Sequence, residues 1–440
     1  MEKHIWNPQA EYMDRKELEA LQLERLKALV DYCDKNVKFY HDRFEKHGIT
    51  ADKIKCLSDI QYIPYTTKED LRDNYPFGLF SVPQKEIVRL HASSGTTGNP
   101  TVVGYTRGDL ENWSEQVARL VYAAGADENS IVQICFGYGM FTGALGLHYG
   151  LERIGATVVP TSSGNTEKQL KFMRDFGTDT IVATPSYCLY LAESAKERGI
   201  EFPLDQYKLK LGLLGSEGCT PEMRKQIEES WGNGFFCTDN YGMSELMGPG
   251  VSGECEYASG MHINEDHFYA EIIDPDTGEV LPEGSRGELV FTSLDKEAFP
   301  LLRYRTRDIC VLSRKKCSCG RTLIKMAKPM GRTDDMLIIR GVNVFPSQIE
   351  TVLLNEGYQP NYQIIVDRVK NNDTFDINVE IPPEMFTDKV GEIMAMEKSL
   401  GGAIKTMLGI NPSVHLVPPK TIQRSEGKAK RVYDERNLHD

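Results

Sequence analysis

Between Ile131 and Gly242 the chain repeats one theme: a short, nearly continuous apolar run, a loop, and an amphipathic segment. The runs are 131–135, 156–160, 180–183, 209–214 and 235–238, and Thr166 and Thr220-Pro221 stand where helices begin. Apolar runs without polar alternation are strands buried on both faces, and strands that alternate with helices build a parallel sheet because each crossover helix covers a face. An α/β fold follows. Ligands of such sheets bind beyond the carboxyl ends of the strands. Gly215-Ser216-Glu217-Gly218 and Asn240-Tyr241-Gly242 are therefore expected to face one crevice.

The flanks read differently. From Met13 to about Phe44, Leu18, Leu21, Leu26, Leu29 and Val30 recur at helical spacing, which predicts a packing helix. Thr106 with Asp109 makes a capping box, and Leu110, Trp113, Val117, Leu120, Val121 and Ala124 mark one face of a helix ending at Gly125. From 258 to 313 the pattern becomes period-two runs around Asp274-Pro275-Asp276-Thr277-Gly278, a smaller antiparallel or barrel-like subdomain. After Pro329-Met330-Gly331 it resets into a compact α+β unit. The expected division is a large domain over 1–330 and a small mobile α+β domain over 331–440. A chain of 440 residues is indeed too long for one core.

A net charge of −13 disfavours wrapping nucleic acid or lying on an anionic membrane, which both need a basic face. Small molecules are the expected partners. The start has no apolar signal core and no run spans a bilayer, so the expected location is the cytoplasm. Ten cysteines are too sparse for a disulfide scaffold.

Ser93-Ser94-Gly95-Thr96-Thr97-Gly98-Asn99-Pro100 places four hydroxyls beside two glycines. Glycines let backbone N–H groups turn toward one point, and hydroxyls add rotatable donors around it, which is phosphate chemistry. No GK[ST] follows, so this is not a Walker loop. Alone, the stretch reads as a polar hairpin turn with phosphate binding as the alternative. Four more stretches line up with it: Asn240-Tyr241-Gly242-Met243-Ser244-Glu245, Tyr304-Arg305-Thr306-Arg307-Asp308, Gly331-Arg332-Thr333-Asp334-Asp335 and Ser425-Glu426-Gly427-Lys428. In this order and spacing they resemble the adenylate-forming acyl-CoA synthetase superfamily over essentially the whole chain. The SSGTTGNP loop, the segment from Phe136 to Gly143 and the RSEGKAKRV ending resemble the phenylacetate-CoA ligase family within it.

The resemblance implies that a carboxylate attacks the α-phosphate of ATP, expelling pyrophosphate, and that the thiol of coenzyme A then takes the acyl group from the adenylate. Ser93, Ser94, Gly95, Thr96, Thr97 and Gly98 would hold the β- and γ-phosphates. Glu245 with Thr97 would hold Mg²⁺, which takes one or two protein oxygens besides phosphate and water. Tyr241 would cover one face of adenine, with Gly215, Ser216 and Glu217 on the other side and Asp239, Asn240, Gly242, Met243 and Ser244 completing the motif. Asp308, acceptor-only, would take both ribose hydroxyls, although Arg307 replaces the family's glycine before it. Arg332 would reach ribose or phosphate. Lys428 would bridge the carboxylate and α-phosphate in the transition state. Read singly, these residues are a loop carboxylate, a core tyrosine, a surface arginine and a solvated basic tail. The family also implies that the small domain rotates between half-reactions, with Asp334 at the hinge and Gly341 beside the pantetheine channel. A homodimer is a further family expectation.

Phe136, Tyr138, Met140 and Phe141 alternate with Gly137, Gly139 and Gly143, a slot for a flat aryl ring or, read blandly, tight packing. Cys317-Ser318-Cys319 with Cys255 and His262 offers three sulfurs and an imidazole, a structural Zn²⁺ set in which Cys310 or His267 could substitute. The leading expectation is an ATP-dependent aryl-acid ligase using coenzyme A. The rivals are an adenylating enzyme with a carrier-protein acceptor, adenylylation of a deazaflavin, and a nucleotide sensor without turnover.

Overall fold

The computed structural model describes residues 4–93, 100–199, 207–232, 234–333, 336–340, 342–369, 372–387, 389–424 and 429–436. Two compact units emerge: Met1–Ala183 with Leu204–Ser216 and Gly234–Lys328, and Thr184–Pro203 with Glu217–Asn233 and Pro329–Asp440.

The first unit opens with helices α1 (Pro8–Glu11), α2 (Arg15–Asn36) and α3 (Lys38–His47). Where one helix is expected, buried Val37 is extended at φ −126° and separates α2 from α3. The break turns Leu26, Leu29 and Val30 of α2 and Tyr40 and Phe44 of α3 onto one core. Each such side chain withdrawn from water contributes on the order of 1.5–3 kcal/mol. After α4 (Lys68–Asp73) comes the hairpin of β1 (Arg89–Ala92) and β2 (Val102–Tyr105). Helix α5 (Arg107–Ala123) starts as its sequence dictates: the Asp109 amide donates to Thr106 Oγ1 and the Thr106 amide to the Asp109 carboxylate, both at 3.0 Å. Two amides that the helix ladder leaves free are thereby satisfied. Helix α6 (Gly143–Arg153) comes close to α5 at its glycines, since a Cβ on Gly146 would lie 2.5 Å from Trp113 and one on Gly150 2.3 Å from Val117.

Strands β3 (Ile131–Ile134), β4 (Thr157–Val159), β5 (Thr180–Ala183), β6 (Leu211–Gly215) and β7 (Phe236–Met243) form the parallel ladder, in the order β4-β3-β5-β6-β7, with α7 (Thr166–Phe176) between β4 and β5 in the chain. They overlap the five predicted runs, β5 at the same bounds and β3, β4 and β6 with ends shifted by one or two residues, while β7 continues to Met243. The hydrogen-bonded order goes on into antiparallel β8 (Gly248–Glu254), β9 (Met261–Ile263), β10 (Phe268–Ile273), β11 (Arg286–Ser293), β12 (Tyr304–Ser313) and β13 (Lys325–Met326). The result is one eleven-stranded sheet, β10-β11-β12-β13-β9-β8-β7-β6-β5-β3-β4. The antiparallel part therefore runs from Gly248 to Met326, past 258–313 at both ends.

Strands β7 and β12 are four ladder steps apart, about 19 Å in a flat sheet. Yet Tyr241 of β7 and Asp308 of β12 share a hydrogen bond of 2.5 Å. The antiparallel half therefore curls back over the end of β7, as strand twist and bulges allow. Register shifts lie at Tyr241/Gly242 and at Glu288/Val290. At the first shift, a Cβ on Gly242 would sit 1.8 Å from the Gly248 carbonyl oxygen, so only glycine lets β7 and β8 pass.

The second unit contains α8 (Pro185–Glu197) and α9 (Pro221–Trp231), capped by Thr184 and Thr220 with proline at the first helical position. It continues with hairpin strands β14 (Leu337–Ile339) and β15 (Val342–Val344), α10 (Pro346–Asn355), β16 (Tyr362–Val369), β17 (Asn372–Glu380), α11 (Val390–Leu408), β18 (Ser413–Val417) and β19 (Val432–Asp434). Its four-stranded sheet, β18-β17-β16-β19, packs Ile364, Val366, Phe375 and Ile377 against Ile349, Leu353, Leu400 and Ile404. Strand β19 is not evident in the sequence, because three residues carry no periodicity. No described helix is long and apolar enough to cross a membrane.

This unit carries a pH dependence. Glu350 on α10 is mostly buried, 3.9 Å from Arg431, hydrogen-bonded to Tyr362, and has Glu217 and Glu222 as like-charged neighbours. Burial, partly offset by Arg431, pushes its carboxyl up to about 7. Glu193 is raised to about 7 by burial as well, against Arg424 and beside Glu380, Glu197 and Glu384. Folded values above the ordinary carboxylate value mean that stability is complete below about 4.5 and is lost as pH rises through about 7. Urea midpoints of the whole chain are expected to fall between about pH 5 and 7.5, less steeply in Glu350→Gln. An unchanged slope in that variant would contradict the assignment.

Candidate active site

The hydroxyl-rich loop leaves β1 through Ser93, whose amide donates to Thr101 O at 2.9 Å while its hydroxyl accepts from the Thr101 amide at 3.0 Å. One of the four expected phosphate hydroxyls thus also closes the base of the loop. Ser94, Gly95, Thr96, Thr97 and Gly98 lie outside the described residues, as do Asp334, Gly341 and Lys428.

At the carboxyl ends of β6 and β7 the predicted crevice residues meet. Gly215 pairs with Asn240, whose Nδ2 donates to Leu214 O at 2.6 Å; a Cβ on Gly215 would be 2.9 Å from the Asn240 carbonyl oxygen. Ser216 follows in the left-handed region at φ 73°. The Asp239 carboxylate pairs with Lys328 at 2.5 Å and its amide donates to Glu254 at 2.9 Å. Tyr241 has its ring 6.2 Å from that of Phe291 and donates its hydroxyl to Asp308. The residues expected at the base and at the ribose are therefore adjacent.

Asp308, 5% exposed, receives no help from a glycine before it, yet the backbone there is glycine-like: Arg307 has φ 67°. The conformation is held by Arg307 N donating to Glu288 at 3.2 Å and Asp308 N donating to Thr306 Oγ1 at 3.1 Å. These contacts offset the roughly 1–2 kcal/mol that a side chain costs in that region. A side chain is thus held in a backbone conformation that glycine adopts freely.

Beyond Gly242 and Met243 the chain turns through Ser244 and Glu245. Ser244 Oγ lies 3.0 Å from Thr142 Oγ1, joining this motif to the aromatic segment. That segment is tied to β1, with Met140 O accepting from the Ala92 amide at 2.9 Å and lying 3.0 Å from His91 Nδ1. Phe136 and Tyr138 pack on the core, Gly143 begins α6, and Met140 and Phe141 are 54% and 55% exposed. The Tyr138 hydroxyl is 3.0 Å from His148. Glu245 is 6% exposed, and its peptide is contacted by Lys296, whose ammonium burial pushes down to about 8. Thr142, His91, His148 and Lys296 had no sequence signal, since single polar residues carry no spacing to read.

In the second unit the Glu217 carboxylate accepts from the amide of Ser186 at 2.6 Å and from that of Ala429 at 3.4 Å. Arg332 also belongs to this unit.

Four donors of the first unit converge elsewhere. Cys255 follows β8, His262 is on β9, and Cys317 and Cys319 lie between β12 and β13. Their ligand atoms all lie within 4.8 Å of one another, with Cys255 and Cys317 sulfurs 3.6 Å apart and Cys319 Sγ 3.4 Å from His262 Nε2. A tetrahedral zinc with Zn–S and Zn–N bonds of ordinary length spaces its ligands by about 3.3–3.8 Å, which the Cys255–Cys317 and Cys319–His262 separations match. Burial opposes ionisation of Cys317, but hydrogen bonds from His262 and Ser259 lower its thiol to about 7; the hydrogen bond between Cys255 and Cys319 lowers the Cys319 thiol and, with burial, raises that of Cys255. Thiolates are the form a metal takes. The alternatives are engaged elsewhere, Cys310 with Ala327 O at 3.2 Å and His267 with Asp295 at 2.7 Å.

The model of the AMP-binding enzymes matches residues 21–294, and that of the AMP-binding enzyme C-terminal domain matches 341–436. The chain is 51% identical to the phenylacetate-coenzyme A ligase of Pseudomonas putida, over 94% of this chain and 93% of that one. It is 48% identical to the enzyme of that name from Escherichia coli (strain K12), over 96% of each. The chain belongs to the phenylacetate-CoA ligase family. Among solved structures, 2-hydroxyisobutyryl-CoA ligase in the postadenylation state with 2-HIB-AMP superposes with a TM-score of 0.91 at 28% identity, covering 99% of this chain and 94% of that one. The same enzyme with 2-HIB-AMP and CoA in the thioesterification state gives 0.72, covering 99% and 93%. As a phenylacetate-CoA ligase family member, this chain has Tyr241 and Asp308 in the paired arrangement described above.

Proposed function

We propose that this chain ligates phenylacetate, or a related aryl acid, to coenzyme A in an ATP-dependent, AMP-forming reaction through an acyl-adenylate. The observation that carries the reading is the meeting of Tyr241 with Asp308 beside a motif whose Ser244 touches Thr142 of the aromatic segment. These contacts support a nucleotide site and an acyl site that share one edge. Tyr241, with Gly215, Ser216 and Asn240, takes adenine; Asp308, with Arg332, takes the ribose side; residues 93–98 take the leaving phosphates. Phe136, Tyr138, Met140, Phe141 and Gly143 line the acid's pocket. Lys428 stabilises the charge that builds between carboxylate and α-phosphate. Glu245 and Thr97 hold Mg²⁺, which when bound supplies charge neutralisation for the phosphates. Residues 331–440 form the domain that moves between half-reactions about Asp334, which brings Gly341 to the thiol's channel. The solved relative, known in both a postadenylation and a thioesterification state, supports that cycle.

Zinc, held by Cys255, His262, Cys317 and Cys319, is assigned a structural role, since all four ligands come from the protein and no open position is left for chemistry.

The test is acid-dependent ATP–pyrophosphate exchange and thioester formation across a panel of acids, with and without coenzyme A. Exchange without any thioester would sink the reading. Within it, Asp308→Ala is expected to weaken ATP binding by about 10- to 100-fold, the worth of a hydrogen bond to a charged group, as read by calorimetry. Tyr241→Phe, which keeps the ring and loses the hydroxyl that donates to Asp308, is expected to cost less.

A further inference from the structure

Lys296 is 1% exposed. Burying an ammonium carries a large desolvation cost, so a lysine at such a position needs partners that no neutral residue could serve as well. Its Nζ donates to Leu246 O at 2.7 Å and approaches Glu245 O at 3.4 Å. The ammonium also sits 4.8 Å from the Tyr105 ring and 5.4 Å from that of Phe299. The charged groups acting on it are the carboxylates of Asp109 and Glu245.

The lysine's own backbone is fixed in turn. Asp109 accepts from the amides of Glu297 at 2.7 Å and Ala298 at 3.0 Å while it completes the capping box of α5 with Thr106. Thr106 also donates its hydroxyl to Glu297 at 2.6 Å. The turn that Lys296 grips is strapped on its far side as well, with Met247 O accepting from the Tyr105 hydroxyl at 3.0 Å and Pro249 O from the Trp113 indole at 2.6 Å. A chain of buried contacts therefore runs from the first turn of α5, through Asp109 and residues 297–298, to Lys296 and the peptide of Glu245.

We propose that Lys296 is a positioning residue for the metal–nucleotide centre: it fixes the Glu245–Leu246 peptide so that the Glu245 carboxylate is presented to a divalent cation bound with ATP. The proposal rests on Glu245 being the metal ligand. The ammonium touches neither substrate nor metal and acts through the two carbonyls and the charge of Glu245. A lysine meets this need because its compact head donates to carbonyls in two directions and balances two buried carboxylates.

The test is binding of Mn²⁺ to the full chain with ATP and no acid, followed by the loss of the free-ion paramagnetic signal. Lys296→Met is expected to weaken Mn²⁺ binding by about tenfold, the worth of a charge-assisted hydrogen bond. Lys296→Gln, which keeps a donor for Leu246 O, should recover at least half of that loss on a logarithmic scale. Glu245→Gln should weaken binding by at least as much as Lys296→Met, and adding Lys296→Met to it should cost nothing further. Parent-like Mn²⁺ affinity in a natively folded Lys296→Met protein would overturn the proposal, and so would full additivity with Glu245→Gln or no recovery with glutamine. Unchanged binding in Glu245→Gln alone would instead overturn the metal-ligand reading beneath it. Should the methionine variant not fold, the glutamine variant in the Glu245→Gln background makes the same comparison.

Discussion

Lys428→Ala is expected to lower acid-dependent ATP–pyrophosphate exchange by about 10²–10³-fold, the usual loss when one preorganised charged donor is removed from a transition state. Thioester formation from preformed acyl-adenylate and coenzyme A should stay within a few-fold of the parent. The asymmetry is the informative part. Negative charge gathers between the incoming carboxylate and the α-phosphate only in the first half-reaction, and a group complementary to that charge raises the rate of that step alone. The chain that follows Lys428 is firmly placed in the second unit. Ala429 donates to Glu217, Arg431 lies 4.8 Å over the Tyr362 ring, and the Ile364 amide donates to Arg431 O at 2.8 Å. Because these anchors survive the substitution, folding should be untouched. Equal loss of both half-reactions would contradict the role assigned to Lys428.

The second large effect concerns the sulfur cluster. Cys319→Ser is expected to take zinc from about one equivalent per chain to nearly none by elemental analysis, because a four-ligand structural site tolerates no missing thiolate. The cluster ties the end of β8, β9 and the β12–β13 turn together. Its surroundings hold the amino-terminal segment, with Tyr12 donating to Cys319 O at 3.3 Å and Arg321 pairing with Glu11 at 2.6 Å. Metal loss should therefore lower the thermal midpoint markedly and make residues near Glu11 more open to proteolysis. Strong chelator applied to the parent should reproduce the shift, and metal-free parent protein with an unchanged midpoint would contradict a structural role.

Much of this architecture is legible in the residues. Threonine and aspartate three apart fixed the start of α5, the unbroken apolar runs marked β3 to β7, and the sulfur–imidazole set was recognisable although its members span 65 positions from Cys255 to Cys319. Those signals are local periodicity or unusual side-chain chemistry. What could not be read depends on long-range geometry. Val37 interrupts the first helix because two helices share one core, and β19 exists because β16 offers it an edge. The curl that brings Asp308 to Tyr241 comes from twist and bulges accumulated over several strands. Lys296 carries no local signal, because its burial is set by the tertiary fold. Arg307 is a related case, since its left-handed backbone is held by Glu288, a partner 19 residues away.

The two halves of the candidate site stand on different kinds of backbone. Asn240, Tyr241 and Asp308 sit on hydrogen-bonded strands, where shifting one residue disturbs its neighbours on both sides. Residues 136–142 are irregular, and the exposed side chains of Met140 and Phe141 can be changed with little disturbance of the core. Under the proposed roles, acid preference can change with less disturbance than the grip on nucleotide. Laboratory selection for a new acid should accumulate its changes between Phe136 and Thr142 and leave the strands alone.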